Sequence, residues 1–310
     1  NLPNLGQLPS LPFGAVVETN AQFRKDSLAP VVPTPLPFGV EILVRRIIDV
    51  HPRALIVPRV SANAPPWWIE RHPETRMMFE NGQPGRLSTV SSRLYRRDVS
   101  AHIEKLCRHL CEAFPDHFAG IHPAGQNSAE WFYDESWGPV MSGYEPPTRQ
   151  AWRSWLKACG EPNAESADVP VAKRRHEAPY GLLRDPGRER DLILFNRFWQ
   201  QEMADTVIEI AAACRRGTAG RKLVVFFYGY LFEFAPLRNG APYAGHYALS
   251  SVLASPDIDV LCSPISYFDR QWQGTGASMT AGSGFFSFSA SAASCSASAS
   301  LPIRKCRRES

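Results

Sequence analysis

Four places in the chain carry residue types that can do chemistry on a sugar. Each directly follows a short apolar run. Glu130 stands beside Trp131, Phe132 and Tyr133, three residues after Asn127 and eight after His122. Burial among aromatics disfavours the charged form of a carboxyl and raises its pKa. A carboxyl so raised can donate a proton to a leaving oxygen near neutral pH. Arg59 and Asn63 precede Trp67 and Trp68, a flat apolar wall on which the CH face of a sugar stacks; the same pair also suits a loop anchored in the core. Tyr228, Tyr230 and Glu233 follow a third run, and Glu233 between Phe232 and Phe234 is either a buried structural carboxylate or a second functional one. Ser263, Ser266, Tyr267, Asp269 and Arg270 follow a fourth, where a Tyr and an Arg can hold a carboxylate ionised. Two carboxylates flanking one sugar bond are the minimal equipment of glycoside hydrolysis. Glu130 is the first candidate, and Glu233, Asp269 and Asp134 compete for the second.

The elements needed to position these residues can be read from periodicity. Apolar spacing predicts helices over 39–50, 92–114, 149–159, 191–216 and 246–253. Runs at 54–57, 118–122, 223–230 and 258–262 predict buried strands, the first closed by Pro58. Residues 160–188 read as a polar, Pro-rich connector. Strands alternating with helices imply βα units and a parallel sheet, class α/β. In a parallel barrel the chemistry sits at the C-terminal ends of the strands. The chain divides into an irregular Pro-rich lead-in (1–37), a region of alternating strands and helices (38–280), which a family resemblance implies is a partial barrel, and a Ser/Ala-rich basic tail (281–310). No charge occurs from Gln271 to Ile303, so the tail reads either as low-complexity chain or as a stretch in which the coding frame is lost.

Composition narrows the classes. The 310 residues are 44% apolar and 21% charged, which suits a globular protein and excludes a wholly disordered one. A net charge of +4 is small for this length, and no dense basic stripe marks a nucleic-acid partner. Lys173-Arg174-Arg175 reads as a solvated loop, and the Arg304–Arg308 cluster as a basic tail. The longest apolar runs are too short to span a bilayer. The seven cysteines include no CxxC pair, and Cys107 and Cys111 read as small residues on one helix face rather than metal ligands. Glycine-rich phosphate loops, HExxH and GxSxG are absent, so no cofactor or metal is expected. The chain begins at Asn1 without a basic-then-apolar leader, so either a signal was removed or the chain is a fragment. The odd number of cysteines leans towards a reducing compartment, the cytoplasm. Oligomeric state is not legible.

The run Ala54–Val60, then Ala64-Pro65-Pro66-Trp67-Trp68 and His72-Pro73-Glu74, resembles clan A glycoside hydrolases, in particular the family 42-type β-galactosidases. Gly120–Tyr133 is similar to that clan's fourth strand, which carries the acid/base glutamate. Ser255–Asp259 and Ser263–Arg270 resemble its sixth strand, where a tyrosine touches the nucleophile. The resemblance spans about residues 40–280. It implies a (β/α)8 TIM-barrel type fold, incomplete at the C-terminus, and a retaining, β-galactosidase-like hydrolase acting on a carbohydrate. Glu130 would be the general acid/base, Asn127 a polar neighbour and Tyr267 the group positioning the nucleophile. Trp67, Trp68, Trp131 and Tyr230 would line the sugar site. The strand-end reading adds Arg59, His122 and Arg270 as substrate contacts. The clan more often places Asn directly before the Glu, whereas Asn127 is three residues ahead. The clan's nucleophile, a glutamate ending the seventh strand, has no counterpart between Arg270 and Glu309. Glu233 is then the first substitute to test. The alternatives are a non-catalytic carbohydrate-binding relative and an inactive gene fragment.

Overall fold

The hydrogen-bond ladder of the first barrel strand shows how local sequence sets the architecture. Ile56 N–H donates to His117 and Ala119 N–H to Ile56, both across a parallel pair; His122 N–H donates to Pro58, and Ala62 N–H to Ala124. Pro58 has no N–H to give, so the regular strand begins one residue later, at β5 (Arg59–Ser61). This corrects the expected strand at 54–57. Only Ile56 of that run bridges the sheet, and Leu55 is 74% exposed rather than buried.

The computed structural model describes residues 39–231 apart from 137, 139 and 182, residues 243–262, and the backbone of the short strands at 2–3, 16–17, 21–24, 27–30 and 286–287. The chain forms two units, Asn1–Ala54 and Leu55–Ser310. The first holds β1 (Leu2–Pro3) paired antiparallel with β2 (Val16–Val17), and β3 (Ala21–Arg24) paired antiparallel with β4 (Ser27–Pro30). The lead-in expected to be irregular thus carries two short ribbons. Helix α1 (Gly39–Val50) lies where periodicity placed it, and Arg45 meets Glu41 one turn away at 2.7 Å.

In the second unit β5 is followed by α2 (Pro66–Arg71), the antiparallel pair β6 (Arg76–Met78) and β7 (Pro84–Ser88), and α3 (Arg93–Ala113). Then come β8 (Gly120–Ala124), α4 (Pro146–Ala158), α5 (Ala172–His176), α6 (Arg190–Gly217), β9 (Leu223–Phe227), α7 (Leu249–Leu253), β10 (Val260–Cys262) and β11 (Phe286–Ser287). Strands β5, β8, β9 and β10 are parallel and lie in that spatial order, with β11 antiparallel on β10. Sequential parallel neighbours joined by helices are βα units, and every β-to-α loop leaves the same, C-terminal edge. The β6–β7 pair was not anticipated, because Pro84 and Gly85 hide the strand alternation.

Helices α3 and α6 make the helical layer. Ser92 caps α3, its Oγ accepting from Tyr95 N–H at 3.2 Å. Tyr95, Ile103, Cys107 and Leu110 form its buried stripe, and Phe195, Phe198, Trp199, Met203, Val207, Ile210 and Cys214 that of α6. A Cβ at Gly217 would stand 2.5 Å from the Glu104 carbonyl oxygen, so glycine permits the close approach of the two helices. Inside the contact Arg96 meets the Glu202 carboxylate at 2.9 Å and donates to the carbonyls of Val90 and Glu202. The pair is buried, and the guanidinium's further bonds to the two carbonyls satisfy its remaining donors in part, which helps a buried ion pair to be tolerated. Among the described residues, no helix is long and apolar enough to cross a membrane.

Candidate active site

The loop leaving β8 is bent by its own backbone. Gln126, Ser128, Ala129 and Trp131 all have positive φ, between 53° and 66°. For residues with a Cβ this region costs about 1–2 kcal/mol each, so the surrounding structure must hold it. Three groups of contacts do so. Arg59 Nη2 donates to the Ala129 carbonyl at 2.7 Å. Trp131, fully buried, donates from its backbone N–H to Gly125 at 2.8 Å and from its indole to Pro123 at 3.2 Å. A Cβ at residue 125 would lie 2.6 Å from that indole, so glycine admits the ring. Finally, His246 Nε2 is 3.1 Å from both the Glu130 and the Trp131 carbonyl oxygens.

This loop presents Glu130 at the C-terminal edge of the sheet. The Glu130 side chain is partly exposed, and Ser128 Oγ donates to Oε2 at 3.3 Å. Asn127 turns back on the loop: its Oδ1 accepts from Ser128 N–H at 2.9 Å and its carbonyl from Glu130 N–H. His122 lies in register with Arg59 on the neighbouring strand. Its ring meets Phe227 edge-on at 4.4 Å, and the Arg59 guanidinium lies 4.8 Å from the same ring. Burial, assisted by the Arg59 charge, lowers the His122 pKa from 6.5 to about 4. It is therefore a neutral imidazole at neutral pH. Tyr230 is buried, its ring 5.2 Å from Phe132. The structure thus brings Arg59, the first residue of β5, and His122, midway along β8, beside the loop that carries Asn127, Glu130 and Trp131 and the segment after β9 that carries Tyr230; Arg59 and His122 lie within strands rather than after them, and Trp131 offers no face to solvent.

The tryptophan pair divides. Trp68 is buried, its indole N–H on Asp98 at 3.1 Å and its ring 4.6 Å from that of His72. Trp67 is 56% exposed, with the Arg71 guanidinium 5.3 Å from its ring. Both border a cavity of about 690 Å³ beyond β5, shared with Asn63, Tyr95, Asp98 and His102. Asn63 ties this wall to the Glu130 loop: its Oδ1 accepts from Gln126 N–H at 2.6 Å and its Nδ2 donates to Gln126 O at 3.4 Å. Glu233, Tyr267 and Arg270 lie outside the described residues, as do Ser263, Ser266 and Asp269.

Beneath the loop lies a charged cluster that sequence reasoning missed. Glu135 is fully buried; Oε1 accepts from Trp199 Nε1 at 3.1 Å and from Arg175 at 3.2 Å, and Oε2 from Ser142 Oγ. Burial raises the Glu135 pKa, while Arg175 and the hydrogen bonds oppose that rise. The Arg175 guanidinium lies between 5.0 and 5.8 Å from the rings of Phe195, Tyr144, Tyr243 and Trp199. The expected solvated loop at 173–175 is corrected here. Arg174 does pair with Asp191 at the surface, but Arg175 is buried because it neutralises Glu135. Asp134, next in sequence to Glu135, also has a raised pKa through burial, moderated by Arg86. Among the described residues, no group of three or more His, Cys, Asp or Glu side chains is gathered as metal ligands would be.

No family model matches the chain. Short stretches match two curated α-galacturonidases. One, from Thermoanaerobacterium saccharolyticum, is 52% identical over 46 residues, 15% of this chain and 10% of that protein. The other, from Bacillus subtilis, is 46% identical over 49 residues, 16% of this chain and 11% of that protein. The chain spans about a tenth of the length of these relatives. Among solved structures, the catalytic domain of a β-amylase from Paenibacillus polymyxa superposes with a TM-score of 0.55 at 13% identity, over 70% of this chain and 62% of that one. A β-galactosidase from the psychrophile Marinomonas ef1 gives 0.47 at 15% identity, over 71% and 32%. At such identity the β-amylase likeness establishes the fold. The parallel sheet with its helices is an α/β unit of the TIM-barrel type, the fold shared with that β-amylase domain.

Proposed function

We propose that the chain is the carbohydrate-active part of a retaining, β-galactosidase-like glycoside hydrolase, with Glu130 as the acid that protonates the leaving oxygen. One observation carries this reading. Glu130 is held at a strand end by a strained loop fixed through its backbone, while its carboxyl stays open to solvent on one side. Strain that persists only because distant contacts enforce it marks functional loops. Arg59, His122 and Tyr230 surround the same edge, and the exposed face of Trp67 offers a stacking surface at the neighbouring cavity. Glu233 is the candidate nucleophile and Tyr267 its positioning group, both from the sequence; Arg270 is a further substrate contact. The named relatives and structural neighbours all cleave glycosidic bonds, which supports the reaction class and leaves the sugar open.

The test is a panel of 4-nitrophenyl glycosides that includes the β-galactoside and the α-galacturonide, followed by E130Q on whichever is turned over. General acid catalysis is typically worth about 10²–10⁴-fold. E130Q should lose that much in kcat/KM on a phenyl glycoside and far less in kcat/KM on the 2,4-dinitrophenyl glycoside, whose leaving group needs no proton. The first product anomer, read by proton NMR, should retain configuration. Unchanged turnover in E130Q refutes the assignment. Saccharide binding without turnover favours the second reading, a non-catalytic binding relative, for which the exposed Trp67 ring is the supporting feature.

A further inference from the structure

The best-satisfied buried side chain at this edge is one that neither the sequence reading nor the proposed reaction uses. His246 is fully buried and stands between β9 and α7, three residues before the helix begins. Its ring is sandwiched, lying 4.1 Å from Phe132 at an interplanar angle of 1° and 4.5 Å from Tyr228 at 11°. Nδ1 accepts from two backbone donors, Gly229 N–H and Tyr230 N–H, each at 3.1 Å. A nitrogen that accepts carries a lone pair, so the single proton of the neutral ring sits on Nε2. Nε2–H then points at the carbonyls of Glu130 and Trp131, at 3.1 Å from each. The flanking backbone repeats the connection: Tyr133 N–H donates to Ala244 and the Tyr228 hydroxyl to Gly245.

We infer that His246 is the positioning residue for Glu130, a fixed-tautomer imidazole that ties the loop after β8 to the end of β9 and so sets where the Glu130 carboxyl stands. This inference rests on the reading of Glu130 as proton donor. His246 touches no substrate; it acts through the main chain of residues 130 and 131. A strained loop relaxes when such a tie is cut, and displacement of a catalytic group by about 1 Å can cost on the order of 10²-fold. The cost should fall on proton donation and not on binding. The two ring nitrogens also have separable roles. In Asn, Oδ1 takes the place of Nδ1 and keeps the bonds to Gly229 and Tyr230 but loses the tie to Glu130. In Gln, Nε2 takes the place of the ring Nε2 and keeps that tie.

The experiment compares H246N, H246Q and E130Q in the full chain, each on phenyl and 2,4-dinitrophenyl glycosides of the sugar found by the panel. H246N should lose at least 10-fold in kcat/KM on the phenyl glycoside, with little change in kcat/KM on the dinitrophenyl glycoside, because kcat/KM reports the step in which the leaving group departs and kcat on the activated substrate also reports the later step in which Glu130 serves as base. H246Q should recover much of that loss. A merely structural role would lower both substrates alike, and equal losses in H246N alongside a leaving-group-selective E130Q overturn the inference while sparing Glu130. If E130Q is itself unselective, the Glu130 reading falls and the inference with it. A readout independent of activity is the ¹⁵N NMR of the unsubstituted imidazole. Nδ1 should be unprotonated and Nε2 protonated, and the opposite tautomer overturns the inference even where a variant fails to fold.

Discussion

Acid should weaken the unsubstituted chain more than H246Q, by an amount the structure sets. Burial lowers the His246 pKa from 6.5 to about 3, with the two carbonyls only partly opposing the shift. The rings packed on it, Phe132, Tyr228 and Tyr230, carry no charge in acid. A depressed native pKa means that the unfolded chain binds the proton more tightly. The stabilisation is therefore complete above pH 6.5 and is lost as pH falls towards about 3. At about pH 4.5 the unfolded imidazole lies ~2 pH units below its pKa while the folded one is still neutral. The loss is then roughly 2.7 kcal/mol, at about 1.36 kcal/mol per unit. His122, with a pKa of about 4, adds a loss of the same sign. Glu135 and Glu145, raised by burial, act oppositely, since folded-state proton uptake favours folding in acid. All three are common to both proteins and cancel in the difference. Urea unfolding followed by tryptophan fluorescence at about pH 7.5 and about pH 4.5 gives the stability gap between the unsubstituted chain and H246Q. That gap should shrink by roughly 3 kcal/mol in acid. A gap independent of pH would show that His246 is not a buried neutral imidazole, and the tautomer argument would fall with it.

The Glu135–Arg175 pair predicts strong non-additivity. R175M leaves a fully buried carboxylate without its cation and should cost about 3–5 kcal/mol in thermal or urea unfolding, whereas R175M combined with E135Q should recover about half or more of that; additive losses would refute the pairing. The tryptophan pair predicts a contrast. W68A should destabilise by about 3–5 kcal/mol, and W67A by less than about 0.5 kcal/mol. W67A should instead weaken saccharide binding measured by calorimetry, and equal drops in unfolding temperature for the two variants would sink the distinction between anchor and stacking face.

Where a pattern repeats over several turns of one helix, the sequence reading and the structure agree; the shorter expectations over 223–230 and 246–253 shrink to 223–227 and 249–253. The stripe of Tyr95, Ile103, Cys107 and Leu110 repeats at helical spacing over 21 residues, so α3 could be read directly; the 28-residue α6 is the same case. The run that forms β8 could be read as a strand because it is buried on both faces, and the run that forms β9 because its apolar residues are unbroken, although its burial alternates. Where a single residue decides, the reading slips. Pro58 moves the start of β5, and Pro84 and Gly85 conceal β7.

The candidate site was legible only in part, because its order comes from contacts between distant segments. Asn127 to Glu130 reads as a polar loop, and polar loops are ordinarily soft. Here four positive-φ residues are fixed by Arg59, 70 positions before the carbonyl it holds, and by His246, 116 positions after Glu130. His246 was read as the first residue of a helix, but the helix begins at Leu249. A lone histidine after an apolar strand gives no period from which to infer three ring partners and four backbone partners. Arg175 misled for the same reason: a run of three basic residues is usually a solvated face, and only Glu135, 40 positions earlier, takes one of them inside. Residue type thus singled out Glu130 and Trp67 as candidates, and could not separate Trp67 from the buried Trp68 beside it. The residues that hold the Glu130 loop became visible only when the ends of three strands were brought side by side.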